Sequence, residues 1–259
     1  MDLGLNGKTA IVCGASRGLG FATAAELHRA GAAVTIVARH SDTLEAAAAQ
    51  LREQGSAPVT AVAADVATAE GRKALLAAQP APDILINNAG GPPSGDWRQL
   101  TAADWHQALE ANMLSAIALM QATLDGMAER GFGRVVNITS GSVKMPMAGL
   151  DMSNGARAGL TGFCRGIANN YVARNVTINN ILPGLHETAR LESLFAAQAQ
   201  ARGLEPEQVR AAMLAAVPAG RFGSEQEFGA AAAFLCSANS GFITGQNLLL
   251  DGGVFPGAL

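Results

Sequence analysis

The sequence is poor in cysteine and in aromatic residues. Its 259 residues include three cysteines, one tyrosine and two tryptophans. Cys13, Cys164 and Cys236 are odd in number, far apart and without the spacing of a metal site. A disulfide framework and a cysteine-held metal are therefore not expected, and reduced thiols in the cytoplasm are the simplest interpretation.

Charge of either sign is also scarce. The formal net charge is −3, and the 18 basic residues are scattered along the chain. This distribution argues against nucleic acid or an anionic membrane surface as a partner. No apolar run approaches the ~18 residues of a membrane span, and the N-terminus lacks a signal-peptide pattern. We therefore expect a cytoplasmic protein that binds small molecules.

The apolar residues form short β-branched runs that alternate with longer, alanine-rich segments of helical period. The predicted strands are Thr9–Cys13, Ala33–Val37, Val59–Ala63, Asp83–Ile86, Arg134–Ile138, Val176–Leu182 and Asn247–Leu250. The predicted helices cover 18–30, 42–54, 68–79, 101–130, 153–173 and 224–236. This alternation predicts a single α/β domain over 1–259, a doubly wound parallel sheet of Rossmann type with helices on both faces.

One segment departs from this alternation. Residues 187–217 are predicted to form two helices separated at Gly203-Leu204-Glu205-Pro206. A long insertion of this kind is often a lid over a binding site, and ordinary helical packing is the alternative.

A glycine-rich turn follows the first predicted strand and begins a helix. Its sequence is GASRGLG, and its members are Gly14, Ser16, Arg17, Gly18, Leu19 and Gly20. Backbone amides at such a helix N-terminus can bind a pyrophosphate, and glycines allow the tight turn and the close approach. The turn therefore predicts a dinucleotide site.

The end of the second strand predicts which dinucleotide binds. A carboxylate there would hold the ribose 2′-hydroxyl of NAD, but the sequence is Val37-Ala38-Arg39-His40. Arg39 and Arg17 could instead pair with a 2′-phosphate. NADP is therefore favoured over NAD.

Further motifs occur in a fixed order along nearly the whole chain. They are Asp65-Val66, Asn87-Asn88-Ala89-Gly90, Asn112, Asn137-Ile138-Thr139-Ser140, Pro183-Gly184 with Thr188, and Asp251-Gly252-Gly253. With the glycine turn, they resemble the classical short-chain dehydrogenase/reductases, most closely those similar to 3-oxoacyl-(acyl-carrier-protein) reductase. The resemblance implies a Rossmann-type fold, a nicotinamide cofactor and a homotetramer.

The same resemblance implies roles for single residues. Cofactor-binding positions would include Asp65, Val66, Asn88, Ala89, Gly90, Pro183, Gly184 and Thr188. Of these, Asp65 and Val66 would border the adenine, and Thr188 would face the nicotinamide carboxamide. Ser140 would hydrogen-bond the substrate carbonyl, and Asn112 would help to hold a water.

The family's catalytic tyrosine and lysine are missing. Counting from Ser140, their positions are occupied by Ser153 and Arg157. The only tyrosine, Tyr171, is predicted about 27 Å farther along the same helix at ~1.5 Å per residue, which indicates a packing role. Arg157, with a pKa expected above ~12, is a poor proton donor, but it could bind cofactor ribose and stabilise a developing alkoxide.

Three side chains are candidates to replace the missing acid. His186 lies in a loop expected to border the substrate, and imidazole titrates near neutrality. Lys144 and Asp151 are the other two. A lone loop histidine is more often incidental, and surface solvation is the alternative for Lys144 and Asp151.

Three functional hypotheses remain. The favoured one is an NADP-dependent oxidoreductase that interconverts a carbonyl and an alcohol through an altered proton route. The second is a dinucleotide-binding pseudoenzyme or regulatory subunit, which the joint loss of tyrosine and lysine would explain. The third is reduction of an already protonated substrate such as an iminium ion, whose hydride step needs no acid.

Overall fold

The computed structural model describes residues 1–257, in which seven parallel strands form one sheet. The strands are β1 Thr9–Cys13, β2 Ala33–Ala38, β3 Val59–Ala63, β4 Ile84–Asn87, β5 Gly133–Ile138, β6 Val176–Pro183 and β7 Asn247–Leu250. Their order across the sheet is β3-β2-β1-β4-β5-β6-β7. Successive strands are added on one side of β1 up to β3 and on its other side from β4 onwards. A crevice therefore opens between β1 and β4 at the carboxyl ends of the strands.

Helices cover both faces of the sheet, as predicted. They are α1 Gly18–Arg29, α2 Ser41–Gln54, α3 Ala69–Ala78, α4 Ala102–Leu109, α5 Ser115–Glu129, α6 Asp151–Ala168, α7 Ala189–Arg202, α8 Pro206–Ala215 and α9 Glu225–Cys236. In β1, Ala10 and Val12 belong to one apolar core, whereas Ile11 and Cys13 belong to the other. Alternate residues of a strand point to opposite faces, so both faces of the sheet are buried. The predicted Rossmann-type, single-domain α/β fold is confirmed.

Two predicted helices need correction. The segment predicted as one helix over 101–130 contains a π-helical turn, Glu110–Leu114, between α4 and α5. The helix predicted over 153–173 begins earlier, at Asp151, and ends at Ala168. Tyr171 therefore lies beyond the helix, where its hydroxyl donates to Asp125 Oδ1 at 3.2 Å. Its ring packs against the core, so the predicted packing role is confirmed.

The segment between β6 and α9 contains two helices, as predicted, and they are separated at Gly203. Gly203 ends α7 in the left-handed conformation, with φ of 65°, and Pro206 begins α8. The two helices enclose an apolar cluster of their own around Phe195 and Phe222. This cluster makes the segment a small packed unit beside the sheet.

Neither a membrane span nor a metal cluster is found between residues 1 and 257. No helix in this range is long and apolar enough to cross a bilayer. No three His, Cys, Asp or Glu side chains in it are grouped closely enough to hold a metal ion. The three cysteines are buried and free, and burial raises the pKa of each thiol to about 12.

A fully buried arginine joins the sheet to the C-terminal part of the chain. Arg134 in β5 donates from Nε to the Ser237 carbonyl at 2.9 Å and from Nη1 to the Asn175 carbonyl at 2.8 Å. Its guanidinium also stacks on the Phe132 ring, 4.4 Å from the centroid. The guanidinium N–H groups therefore provide hydrogen bonds to buried carbonyl groups of two separate loops.

We predict that Arg134→Ala lowers the free energy of unfolding by about 3 kcal/mol, because buried carbonyls lose a charged donor. Denaturant unfolding measures the change. Arg98→Ala is the control, since the Arg98 side chain is 70% exposed and its pair with Asp96 lies on the surface. The control should change stability by less than about 0.5 kcal/mol, and an equal effect of both substitutions would contradict the role of Arg134.

Candidate active site

The glycine turn lies at the carboxyl end of β1, on the crevice. Gly14 and Gly18 have φ of 60° and 63°, the left-handed region that favours glycine. A Cβ on Gly20 would lie 2.3 Å from the Gly14 carbonyl oxygen, so the turn closes only with glycine there. Helix α1 starts at Gly18 without a side-chain cap, which leaves its first backbone N–H groups free to bind an anion.

Two arginines stand at the rim of this turn. Arg17 is the N-cap residue of α1, and Arg39 follows β2; both side chains are exposed. Neither forms an ion pair within residues 1–257. The neighbouring strand β3 leads to Asp65, whose Oδ1 accepts from the Ala67 N–H at 2.9 Å, and Val66 lines a small cavity beside the turn.

The residues after β4 and β6 are joined to this region by hydrogen bonds. Asn88 Nδ2 donates to the Gly14 carbonyl at 3.2 Å, which connects the β4 end to the glycine turn. Pro183 ends β6, and the Gly184 N–H donates to Leu250 O at 2.8 Å. Thr188 caps α7, and its methyl carbon lies 4.0 Å from a Cβ built on Gly18. The crevice is therefore bordered by β1, β4 and β6.

Two polar residues lie deeper in the crevice. Ser140 follows β5, and its Oγ accepts from the Ser142 N–H at 3.1 Å. Asn112 lies in the π-helical turn, where Nδ2 donates to the Ala108 carbonyl at 3.3 Å. Its buried Oδ1 has no hydrogen-bond partner within residues 1–257, and it borders a cavity of about 20 Å³ that Asn87 and Arg157 also line. π-helical turns are frequent at functional sites.

Ser153 and Arg157 are both buried and in contact with each other. Arg157 Nε donates to Ser153 Oγ at 3.2 Å. Nη1 donates to the carbonyls of Ile138 and Thr139 at 3.0 and 2.7 Å, and Nη2 donates to Ala89 O at 3.2 Å. These bonds use four of the five guanidinium N–H groups, so one is left for a ligand. The expected contacts of Arg157 with the cofactor ribose would need more than one.

Within residues 1–257, no carboxylate forms an ion pair with Arg157. Its hydrogen-bond acceptors are neutral, and it is 7% exposed. Burial, together with the neighbouring Arg190, lowers the pKa of Arg157 to about 10. This value lies below the range expected from the sequence, but it keeps the guanidinium charged at neutral pH.

His186 is buried against α9. Its ring packs edge-on against Phe228, with centroids 5.4 Å apart, and a Cβ on Gly223 would lie 2.7 Å from its Cδ2. Nδ1 is 3.3 Å from the Gly184 carbonyl. Burial lowers the pKa of the imidazole, so the ring is neutral near pH 7. The structure records no hydrogen bond from His186 to Ser140 or Ser153 within residues 1–257.

The other two candidate donors are more accessible. Lys144 follows the 3₁₀ turn after Ser140, and its Nζ lies 5.7 Å from the Phe255 ring centroid. Asp151 is in the first turn of α6, two residues before Ser153. Their proposed role as proton donors stays a prediction.

Sequence reasoning missed two features of this site. One is Arg190 beside Arg157, because that contact joins two residues separated by 33 positions and no motif marks it. The other is a hydrogen-bonded row of asparagines, in which Asn87 donates to Asn137 at 2.8 Å and Asn137 to Asn180 at 3.0 Å. Buried asparagines in three adjacent strands were the signal that could have revealed it.

Comparison with known proteins agrees with this geometry. The family model described as "Enoyl-(Acyl carrier protein) reductase" matches residues 14–255. The 3-oxoacyl-(acyl-carrier-protein) reductase of Vibrio cholerae is 35% identical over 257 residues, which cover 98% of this chain and 99% of the relative.

Solved structures of similar proteins superpose over nearly the full length. L-sorbose reductase from Gluconobacter frateurii, complexed with NADPH and L-sorbose, has a TM-score of 0.93 and 29% identity, covering 99% of this chain and 100% of the other. YwfH, an NADPH-dependent reductase involved in bacilysin biosynthesis, has a TM-score of 0.90 and 25% identity over 96% and 99%. The fold and the site define a dinucleotide-binding oxidoreductase. The chain belongs to the short-chain dehydrogenase/reductase family.

The burial of His186 leads to a prediction about pH. Since its folded-state pKa lies below the ordinary ~6.5, the folded protein binds fewer protons than the unfolded chain below that pH. The stability that His186 contributes is complete above about pH 6.5 and is lost as the pH falls through the folded pKa. Urea unfolding of wild-type protein and His186→Gln from pH 8 to pH 5 should show their stability difference shrinking below about pH 6.5. A pH-independent difference would contradict the burial of a neutral ring.

Proposed function

We propose that this protein is an NADP-dependent oxidoreductase that interconverts a carbonyl and an alcohol by hydride transfer, with Ser153 and Arg157 in place of the family's tyrosine and lysine. One observation carries the proposal. Ser140 and Ser153 each accept a hydrogen bond from the protein, so each keeps its own O–H group to donate to a substrate oxygen.

The crevice has the features that a phosphorylated dinucleotide needs. The uncapped start of α1 offers N–H groups, and Gly20 lets the turn close tightly against the Gly14 carbonyl. Arg17 and Arg39 offer unpaired positive charge where a 2′-phosphate would lie, and no carboxylate stands at the end of β2. When bound, NADPH supplies the hydride. The NADPH-dependent reductases similar to this chain support the same preference.

The two serines and the arginine would stabilise the negative charge that develops on the substrate oxygen. Their hydroxyls would hold the carbonyl oxygen, and the Arg157 cation beside Ser153 would stabilise an oxyanion. A preorganised donor at a developing oxyanion contributes ~10²–10³ in rate. Arg157 would remain charged throughout, since its pKa of about 10 is too high for efficient proton donation near pH 7.

Asn112 would support the site through a water. The 20 Å³ cavity is large enough for one water molecule. The Oδ1 atoms of Asn87 and Asn112 are buried acceptors without partners within residues 1–257, and both residues line that cavity. A water held there would donate to these two acceptors and lie beside Arg157.

Two larger features complete the proposal. Residues 187–217, which include α7 and α8 and their own apolar cluster, would form a lid that covers the substrate. A homotetramer is proposed on family resemblance.

Single-turnover oxidation of NADPH at high enzyme concentration tests the function. The panel contains ketones, diketones, 3-oxoacyl thioesters and cyclic imines. We expect turnover with a carbonyl compound and a loss of about 10²-fold in Ser140→Ala and in Ser153→Ala. Ser56→Ala in the exposed turn before β3 is the control, and its rate should match the wild type.

A dinucleotide-binding pseudoenzyme is the second candidate. It is favoured because Arg157 donates four of its N–H groups to the protein itself, which indicates a structural role for this residue. NADPH binding without oxidation by any substrate in the panel would favour that alternative. Turnover restricted to cyclic imines would favour reduction of protonated substrates. His186→Gln in the same assay tests His186 as a proton donor, since unchanged turnover would exclude that role.

We predict that Arg39→Ala reduces the preference for NADPH over NADH by about tenfold, because a charge-assisted contact to the 2′-phosphate is lost. Titration calorimetry with both cofactors measures it. Arg165→Ala is the control, since Arg165 bonds to Asn169 far from the glycine turn. If the ratio of NADPH to NADH affinity is unchanged in Arg39→Ala, Arg39 does not contact the 2′-phosphate.

A further inference from the structure

We infer that the carboxylate of Glu225 opposes the pyrophosphate of the bound cofactor, so that it weakens NADP binding and speeds cofactor release. The inference rests on the proposed function and concerns the regulation of the same site. Glu225 is the first residue of α9, and none of the sequence motifs assigns a residue of that helix to the cofactor. The residue would set how long the cofactor stays bound.

Contacts between α1 and α9 place this carboxylate beside the glycine turn. Glu225 Oε1 and the Thr188 methyl carbon each lie 4.0 Å from a Cβ built on Gly18. One helical turn farther on, a Cβ on Gly229 would lie 2.6 Å from the Ala22 carbonyl oxygen. The two helices therefore lie side by side and run in the same direction, with their N-terminal ends adjacent.

The side chains of the protein provide no partner for the Glu225 carboxylate. Within residues 1–257 it forms neither a hydrogen bond nor an ion pair, whereas the neighbouring Glu227 pairs with Arg221. The Glu225 side chain is half-buried, and burial raises the pKa of its carboxyl. The groups left to stabilise its negative charge are the positive N-terminal ends of α1 and of α9 itself.

A cofactor pyrophosphate would compete with Glu225 for the positive end of α1. The first N–H groups of α1 carry no side-chain cap and are the proposed pyrophosphate donors. When phosphate oxygens occupy that position, two anions face one helix end, and like charges at short range repel each other. The repulsion acts only in the complex, so it lowers cofactor affinity. Because product release is often the slow step of an enzyme, weaker cofactor binding favours turnover.

Cofactor binding to the wild-type protein and to Glu225→Gln tests the inference. Glutamine keeps the size of the side chain and removes its charge, so NADPH and NADP⁺ should bind about fivefold more tightly, through slower dissociation. Titration calorimetry measures the affinity, and stopped-flow displacement measures the dissociation rate. A merely structural role of Glu225 predicts the opposite sign, because a loss of packing weakens binding.

Three controls separate this repulsion from other effects. Glu225→Asp keeps the charge and should bind NADPH nearly as the wild type does. Glu53→Gln, on the exposed surface at the end of α2, makes the same change in net charge and should leave the affinity unchanged. Adenosine 2′-monophosphate lacks the pyrophosphate, so its affinity, measured by competition with NADPH, should be the same in Glu225→Gln and the wild type.

Two results would overturn the inference. One is equal or weaker NADPH binding in Glu225→Gln, including the case in which neither protein binds NADPH. The other is a gain in affinity that Glu53→Gln reproduces or that extends equally to adenosine 2′-monophosphate, since net charge and not the position of Glu225 would then be responsible. The proposed function fails separately, through absence of NADPH oxidation by any substrate of the panel, because cofactor binding requires no hydride transfer.

Discussion

The buried Arg157 guanidinium is the interaction on which the site depends. It connects the carbonyls that follow β4 and β5 with Ser153 in the first turns of α6. Three elements distant in sequence are thereby held at one end of the sheet. A lysine has its three donors at a single atom, whereas the arginine fork spans separate acceptors. Arg157 thus anchors the crevice and places a fixed positive charge within it.

That charge changes how the reaction can be stabilised. A positioned general acid contributes ~10²–10⁴ in rate, and one preorganised donor at an oxyanion contributes ~10²–10³. Because these ranges overlap, the loss of the tyrosine acid can be offset by two hydroxyls and a buried cation. In the proposed reaction, the stabilisation would come from electrostatics and not from proton donation, and slower protonation from water would follow hydride transfer.

Local signals predicted most of the fold, and they failed where distant contacts decide the structure. All seven strands were located within two residues, because strands buried on both faces are short continuous apolar runs. Glycines and a helix start also located the tight turn between β1 and α1 that we propose binds phosphate. The end of α6 at Ala168 and the π-helical turn around Asn112 depend on packing that no local pattern encodes. The contact of Arg190 with Arg157 was unpredictable for the same reason.

His186 illustrates how one such contact changes an interpretation. In sequence it is a loop histidine near the substrate, and it suggested a proton donor. In the structure its ring lies against Phe228 of α9, and the next residue, Glu187, donates its N–H to Gly223 O at 2.9 Å. These contacts fix the loop just before Thr188 caps α7. The geometry therefore supports a structural role for His186, in which its buried ring holds this loop against α9.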